Sequence, residues 1–141
     1  MQMEFSVKGM DFNRAGEAAA KIKKTLQLVG MDVSTIRKAI VVAYEAELNI
    51  VIHASQGTML VEVFPDRVEM LFEDEGPGIP DIALAMQEGY STAPPHIREM
   101  GFGAGMGLPN IDRCSDKLEI ESRVNQGTRL KSTIYNQISG E

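Results

Sequence analysis

Asp74-Glu75-Gly76-Pro77-Gly78-Ile79 opens the stretch around which this chain is organised, and Gly101-Phe102-Gly103-Ala104-Gly105-Met106-Gly107-Leu108-Pro109-Asn110 closes it. Between them run Tyr90-Ser91-Thr92 and the pair Pro94-Pro95. Glycine lets a backbone approach a ligand closely and present its N–H groups. Two glycine-rich turns, one bearing a carboxylate, read as the two walls of a nucleotide pocket. A helix starting near Leu108 would turn its positive dipole end toward a phosphate.

Just upstream, Met59, Val61 and Val63 alternate, as do Val68, Met70 and Phe72, with Pro65-Asp66-Arg67 as the turn between them. The pattern predicts two paired strands from Gly57 onward. Asp74 shares the parity of Val68, Met70 and Phe72. Its side chain is therefore expected on the covered face, at the strand's end. Further upstream, a helix is expected from a Ser34 cap to about Ala54. From Ala39 onward it is apolar nearly all round, which implies burial on more than one side. Yet it carries Glu45, Glu47 and Asn49, and carboxylates are rarely buried without a partner. Glu45 and Asn49 stand one helical turn apart and share a face, whereas Glu47 points elsewhere.

The rest of the chain fills in around these pieces. Met3 to Lys8 alternates weakly and reads as a first strand. Asp11 is a candidate cap for a helix from about Phe12 to Val29, with Ala15, Ala18, Ala19, Ile22 and Leu26 on one face. Gly30 would stop it. Asp81 would cap a short helix, Ile82 to Glu88. Gly89 to Gly107 has no period and is long for a connection, which marks a functional lid or a disordered segment. A helix from about Leu108 to Cys114 follows. Two strands come last, one through Leu118 and Ile120 and one from Thr128 to about Tyr135, before a frayed tail, Ser139-Gly140-Glu141. This order gives a two-layer α/β sandwich: a mixed, mostly antiparallel sheet with helices on one face.

The chain has 141 residues, which suits a single domain over 1–141. Its formal net charge of −6 disfavours non-specific nucleic-acid binding, which needs clustered Lys and Arg. A nucleotide is a different matter, since a few N–H groups and one metal ion suffice for it. Cys114 is the only cysteine, so no intrachain disulfide can form, in keeping with a reducing compartment. No apolar run approaches the roughly 18 residues of a membrane span. The N-terminus lacks the basic and apolar regions of a signal peptide.

Three groups carry candidate chemistry. An amide oxygen such as that of Asn49 suits Mg²⁺, which often takes one or two protein ligands plus phosphates and water. A carboxylate beside it, Glu45, can orient and deprotonate a nucleophile in line with a γ-phosphate. The plainer reading is a solvated Glu–Asn pair; the apolar surroundings and the glycine loops weigh against it. Asp74 can accept a hydrogen bond from the exocyclic amine of a purine, with Gly76 and Gly78 keeping that wall flat. Alternatively, Gly-Pro-Gly is simply turn chemistry. The alternating Gly101, Gly103, Gly105 and Gly107 are no Walker loop, because no Gly-Lys-Ser/Thr follows. His53 reads as a structural histidine, and Cys114 as a packing residue.

Taken together, these residues resemble the Bergerat-fold (GHKL) ATPases, the superfamily of gyrase, Hsp90, histidine kinases and MutL. Glu45-x-x-x-Asn49 is similar to its N box, Asp74-x-Gly76-x-Gly78 to its G1 box, and Gly103-Ala-Gly105-Met-Gly107-Leu108 to its G2 box. Gly127-Thr128 resembles its last glycine–threonine motif. Within the superfamily, Gly76-Pro77-Gly78-Ile79, Gly89-Tyr90-Ser91-Thr92 and Gly107-Leu108-Pro109 are most similar to the anti-sigma-factor serine/threonine kinases, especially the switch kinase of the bacterial stressosome. The segment Ala93 to Gly101 is longer than in that subgroup, and Tyr44 stands where a small residue is usual.

The resemblance implies a cytoplasmic serine/threonine protein kinase that binds ATP and Mg²⁺ and phosphorylates a STAS-domain protein. It allows a homodimer and implies no nucleic-acid or membrane partner. Glu45 would be the general base, Asn49 the Mg²⁺ ligand and Asp74 the adenine reader. Gly76, Gly78, Ile79, Thr92, Gly103, Gly105, Met106, Gly107, Leu108 and Thr128 would complete the nucleotide site. The alternative is an anti-sigma factor that sequesters a sigma factor. A histidine-kinase ATPase domain fits less well, because the chain leaves no room for a helical phosphoacceptor domain.

Overall fold

Met59 and Val61 on one strand, Val68, Met70 and Phe72 on the next, and Leu130 and Ile134 on a third are buried, while their immediate neighbours along each strand are not. That alternation commits one face of a sheet to the core. The opposite face carries ion pairs instead, with Glu69 held by Arg67 at 2.9 Å and by Lys131 at 3.7 Å. The computed structural model describes residues 1–87 and 107–137. The strands are β1 (Gln2–Lys8), β2 (Gln56–Phe64), β3 (Arg67–Glu75), β4 (Lys117–Arg123) and β5 (Gly127–Tyr135), in the sheet order β1-β2-β3-β5-β4. The expected mostly antiparallel sheet is antiparallel at each of its pairings.

The helices are α1 (Glu17–Leu28), α2 (Val33–His53), α3 (Ile82–Ala85) and α4 (Gly107–Cys114). Ala39, Val42, Ala46, Ile50 and Val51 of α2 join one core with the inner face of the sheet, with Ala18, Ala19, Ile22 and Leu26 of α1 and with Ile111 of α4. So α2 is packed from several sides, as its all-round apolar sequence requires. Among the described residues no helix is long and apolar enough to cross a membrane.

Several boundaries differ from the sequence expectation, each for a local reason. The cap of α2 is Asp32, not Ser34: its carboxylate accepts from the Ser34 N–H at 2.9 Å and from Ser34 Oγ at 2.7 Å. Asp81 does cap α3, through the Leu84 N–H at 3.0 Å, but that helix ends at Ala85. The chain beyond β5 is tied back: the Asn136 N–H donates to the Asp66 carbonyl at 2.8 Å and the Gln137 N–H to Thr35 Oγ1 at 3.1 Å. The expected lid, apart from Gly107, and the tail Ser139-Gly140-Glu141 lie outside the described residues.

The largest difference is at α1. It starts at Glu17 rather than Phe12, and Asp11 does not cap it. Its N-cap is Gly16, at φ 97°, which has no side chain to offer. The cap comes from α2 instead. Glu47 is only 3 % exposed, and its two oxygens accept from the Ala18 and Ala19 N–H groups, both at 3.2 Å. A carboxylate at a helix N-terminus gains both hydrogen bonds and the favourable end of the helix dipole.

We expect Glu47→Ala to cost about 2–3 kcal/mol, since it strands two buried N–H groups. Glu47→Gln keeps one acceptor oxygen and should cost clearly less. Urea unfolding measures both. A Glu47→Ala protein within about 0.5 kcal/mol of wild type would show that this contact carries no stability.

Candidate functional site

The middle of α2 brings Glu45 and Asn49 to one face, both half-buried. Gly107, the first residue of α4, lies against them. A β-carbon there would sit 3.2 Å from Asn49 Oδ1 and 3.4 Å from Glu45 Oε2, so the missing side chain leaves a small cradle beside two hard oxygen donors. Burial pushes the Glu45 carboxyl above its usual range, and the side chain of Asn110, one turn further along α4, pulls it partly back.

A second cluster forms where β3 ends. Asp74 points to the helix-covered side, as its parity with Val68, Met70 and Phe72 requires. Its carboxylate accepts from the Thr128 N–H at 3.1 Å. Burial raises the Asp74 carboxyl, and that hydrogen bond pulls it back. The approach depends on Gly127, at φ 137°, where a β-carbon would lie 2.0 Å from the Asp74 carbonyl oxygen. No side chain fits there.

The loop Gly76-Pro77-Gly78-Ile79 is bolted to the β4–β5 turn. The Pro77 carbonyl accepts from the Asn125 N–H at 2.8 Å, and the Ile79 N–H donates to Ser122 Oγ at 2.7 Å. Ser122 in turn shares a hydrogen bond of 2.9 Å with Thr128 Oγ1. A β-carbon at Gly76 would sit 3.2 Å from both Asp74 Oδ1 and the Ala54 Cα, just past the end of α2. Both clusters therefore lie along the C-terminal half of α2, one at Glu45 and Asn49 and the other against Ala54.

Of the expected site residues, Glu45, Asn49 and Gly107 meet in the first cluster, and Asp74, Gly76, Ile79 and Thr128 in the second. Gly78 continues the second cluster's loop, and Leu108 packs partly buried against the core. Thr92, Gly103, Gly105 and Met106 lie outside the described residues. His53 is half-buried, and burial lowers its pKa, so the neutral imidazole dominates at neutral pH. Cys114 is a half-buried free thiol. The Tyr44 ring covers Gly16, where a β-carbon would come within 3.3 Å of it. Sequence reasoning missed Asn110 and Ser122. Asn110 had a usable signal, because it stands one turn after Gly107 on the helix that follows the glycine run.

The histidine kinase-, DNA gyrase B- and HSP90-like ATPase family matches residues 24–137, and the chain belongs to it. It is 31 % identical over 126 residues to the serine/threonine-protein kinase RsbT of Bacillus subtilis, covering 86 % of each chain. It is 29 % identical over 145 residues to the anti-sigma F factor of Clostridium kluyveri, covering 99 % of this chain and 96 % of that one. Among solved structures, the RsbU and RsbW domains of Rv1364c from Mycobacterium tuberculosis align with a TM-score of 0.65 at 16 % identity, over 98 % of this chain and 33 % of that one. The mycobacterial sensor histidine kinase MprB aligns with a TM-score of 0.54 at 13 % identity, over 97 % of this chain and 99 % of that one. The two structural likenesses speak for the fold.

Glu45 and Asp74 share a consequence for stability. Each has its folded-state pKa raised, so the folded protein holds the proton more tightly than the unfolded chain does. Their contribution is most favourable below the unfolded pKa, near 4, and declines as pH rises through the folded value. Ionising either one carries a desolvation cost in the folded protein. We therefore expect Glu45→Gln and Asp74→Asn to be at least as stable as wild type at pH 7, with the difference shrinking as pH falls toward about 4. Thermal unfolding across that range checks it. Variants clearly less stable than wild type at pH 7 would contradict the desolvation account.

Proposed function

We propose that residues 1–141 form one ATP-binding kinase domain, which transfers the γ-phosphoryl of Mg²⁺–ATP to a serine or threonine of a STAS-domain protein in a partner-switching pathway. The observation that carries this reading is the pairing of Glu45 and Asn49 across from Gly107: a desolvated carboxylate beside an amide oxygen, both approached closely by the glycine that opens α4. The serine/threonine kinase named among the relatives supports the reaction class. We place the activity in the cytoplasm, where ATP and reduced thiols are found.

In this reading the substrate hydroxyl gives its proton to Glu45 as its oxygen bonds to the γ-phosphorus, and ADP departs with the bridging oxygen. The raised pKa of Glu45 makes it a stronger base than an ordinary carboxylate. Asn49 is a suitable Mg²⁺ ligand. Among the described residues no group of three or more His, Cys, Asp or Glu could hold a metal ion. Mg²⁺ would then take its other ligands from phosphates and water, as it commonly does; bound there, it would neutralise charge developing on the phosphates. Asp74 has a carboxylate oxygen left over after the Thr128 bond, and that oxygen suits the adenine amine. Gly76, Gly78, Ile79 and Thr128 form the wall around it. Gly107 and Leu108, with Thr92, Gly103, Gly105 and Met106, are assigned to the phosphate side.

A second reading keeps the same pocket and makes sigma-factor sequestration the main activity. The likeness to anti-sigma F factors favours it.

Transfer of ³²P from γ-labelled ATP to purified STAS-domain proteins, with nucleotide affinity measured in parallel, tests the proposal. Glu45→Gln should slow transfer by about 10²–10⁴-fold with nucleotide affinity kept. Asn49→Ala should lose the Mg²⁺-dependent part of binding. Asp74→Asn should weaken adenine nucleotides roughly 10- to 100-fold, the worth of one charge-assisted hydrogen bond. Wild-type protein that phosphorylates no STAS protein yet binds a sigma factor tightly would favour the second reading.

A further inference from the structure

Two neighbouring stripes run along the C-terminal half of α2. Glu45 and Asn49 form one, which faces Gly107 of α4. Tyr44, Leu48 and Ile52 form the other, one residue earlier at the same four-residue spacing. The turn that leads into α1 covers this second stripe. The Met10 N–H donates to the Val51 carbonyl at 2.7 Å, Phe12 and Ala15 pack on Leu48 and Ile52, and Gly16 lies against the Tyr44 ring. Leu48 and Ile52 are buried as a result, whereas Tyr44 at the end of the stripe is 37 % exposed. The seat of the ring is specific. Gly16 is at φ 97°, and a β-carbon there would come 3.3 Å from the ring Cε1 and 3.7 Å from Cδ1. A left-handed residue without a side chain lets the ring rest against the backbone. Tyrosine has few torsions, so a seated ring offers a rigid contact surface.

We propose that Tyr44 is the specificity-determining contact for the protein substrate: its ring receives an apolar side chain beside the acceptor serine or threonine and so brings that hydroxyl to Glu45. The inference rests on the kinase reading of Glu45 and concerns the substrate side of that site. Position along α2 gives the direction. In the proposed orientation Ala54 marks the adenine end and Glu45 the γ-phosphate end, nine residues or about 13 Å apart along the axis. Tyr44 lies beyond Glu45 in that direction, and helical side chains tilt toward the N-terminus. The ring therefore stands on the acceptor's side of the base, away from the nucleotide. Tyrosine suits such a place, because it joins a large apolar face to a polar tip and is enriched where proteins meet. A small residue is usual here in the kinases that the sequence resembles, so the ring belongs to this chain's choice of acceptor rather than to the shared nucleotide chemistry. Tyr44 exchanges no proton in the transfer.

The test is steady-state transfer of ³²P from γ-labelled ATP to the STAS-domain protein that the wild type phosphorylates, with that protein's concentration varied and ADP affinity measured by calorimetry. Tyr44→Ala should raise KM for the protein substrate about 10- to 30-fold, as truncating a central interface aromatic does. Its kcat and ADP affinity should stay within about threefold of wild type, a split that marks lost substrate binding rather than lost chemistry. Tyr44→Phe, which keeps the ring, should restore KM to within about threefold of wild type. Should Tyr44→Ala loosen the turn before α1, Tyr44→Gln still covers Gly16 without an aromatic face, and its KM is expected to rise as well. A wild-type KM in Tyr44→Ala or Tyr44→Gln would overturn the inference while leaving the kinase reading intact. So would a loss of ADP affinity in both, which would put the ring on the nucleotide's side. A wild type that transfers nothing to any STAS-domain protein, or Glu45→Gln at the wild-type rate, would overturn the kinase reading and this inference with it.

Discussion

Helix α1 begins at a glycine, and a glycine cannot cap it. Two of its first N–H groups would be stranded against the core if nothing on another element met them. Glu47 meets both from the middle of α2, with bonds of 3.2 Å from Ala18 and Ala19. The contact is buried, charged on one side, and directed by the helix dipole, so it fixes both how far and at what height α1 docks. Glu47 and Glu45, two residues apart, leave α2 on different faces: Glu47 meets the start of α1, and Glu45 with Asn49 faces Gly107 at the start of α4.

The site itself is set up at some cost to stability. Glu45 and Asp74 are both held partly out of water; among the described residues, Asn110 faces the first and the Thr128 N–H the second. A fully satisfied carboxylate would be more stable, but under the proposed roles it would be less useful, since a base needs free basicity and a reader needs an unused oxygen. The surroundings are correspondingly rigid. Gly127 allows β5 to pass within contact of the Asp74 carbonyl, and Ser122 ties Ile79 to Thr128. Local strain and desolvation of this kind are what functional sites commonly carry.

Much of this was legible in the sequence, because it follows from periodicity. The parity of Asp74 with Val68, Met70 and Phe72 placed its side chain correctly, and the all-round apolar run of α2 foretold its packing on several sides. The Glu45–Asn49 spacing put both on one face. What could not be read depended on partners distant in the chain. Asp11 looked like the cap of α1 because a sequence shows local caps only, whereas the true acceptor, Glu47, comes from another helix. Ser34 and Asp32 are both good capping types, and only the backbone decides between them. Ser122 sits among alternating strand residues and gives no sign of its bonds to Ile79 and Thr128.

If α2, the end of β3 and the start of α4 enclose one nucleotide site, a crystal structure with Mg²⁺ and a non-hydrolysable ATP analogue will show how the nucleotide lies in it. The adenine amine is expected within hydrogen-bond distance of the Asp74 carboxylate, Mg²⁺ on Asn49 Oδ1, and the γ-phosphate nearest Glu45 beside Gly107. A nucleotide bound with its base away from Asp74, or with its phosphates remote from Glu45 and Asn49, would contradict that arrangement.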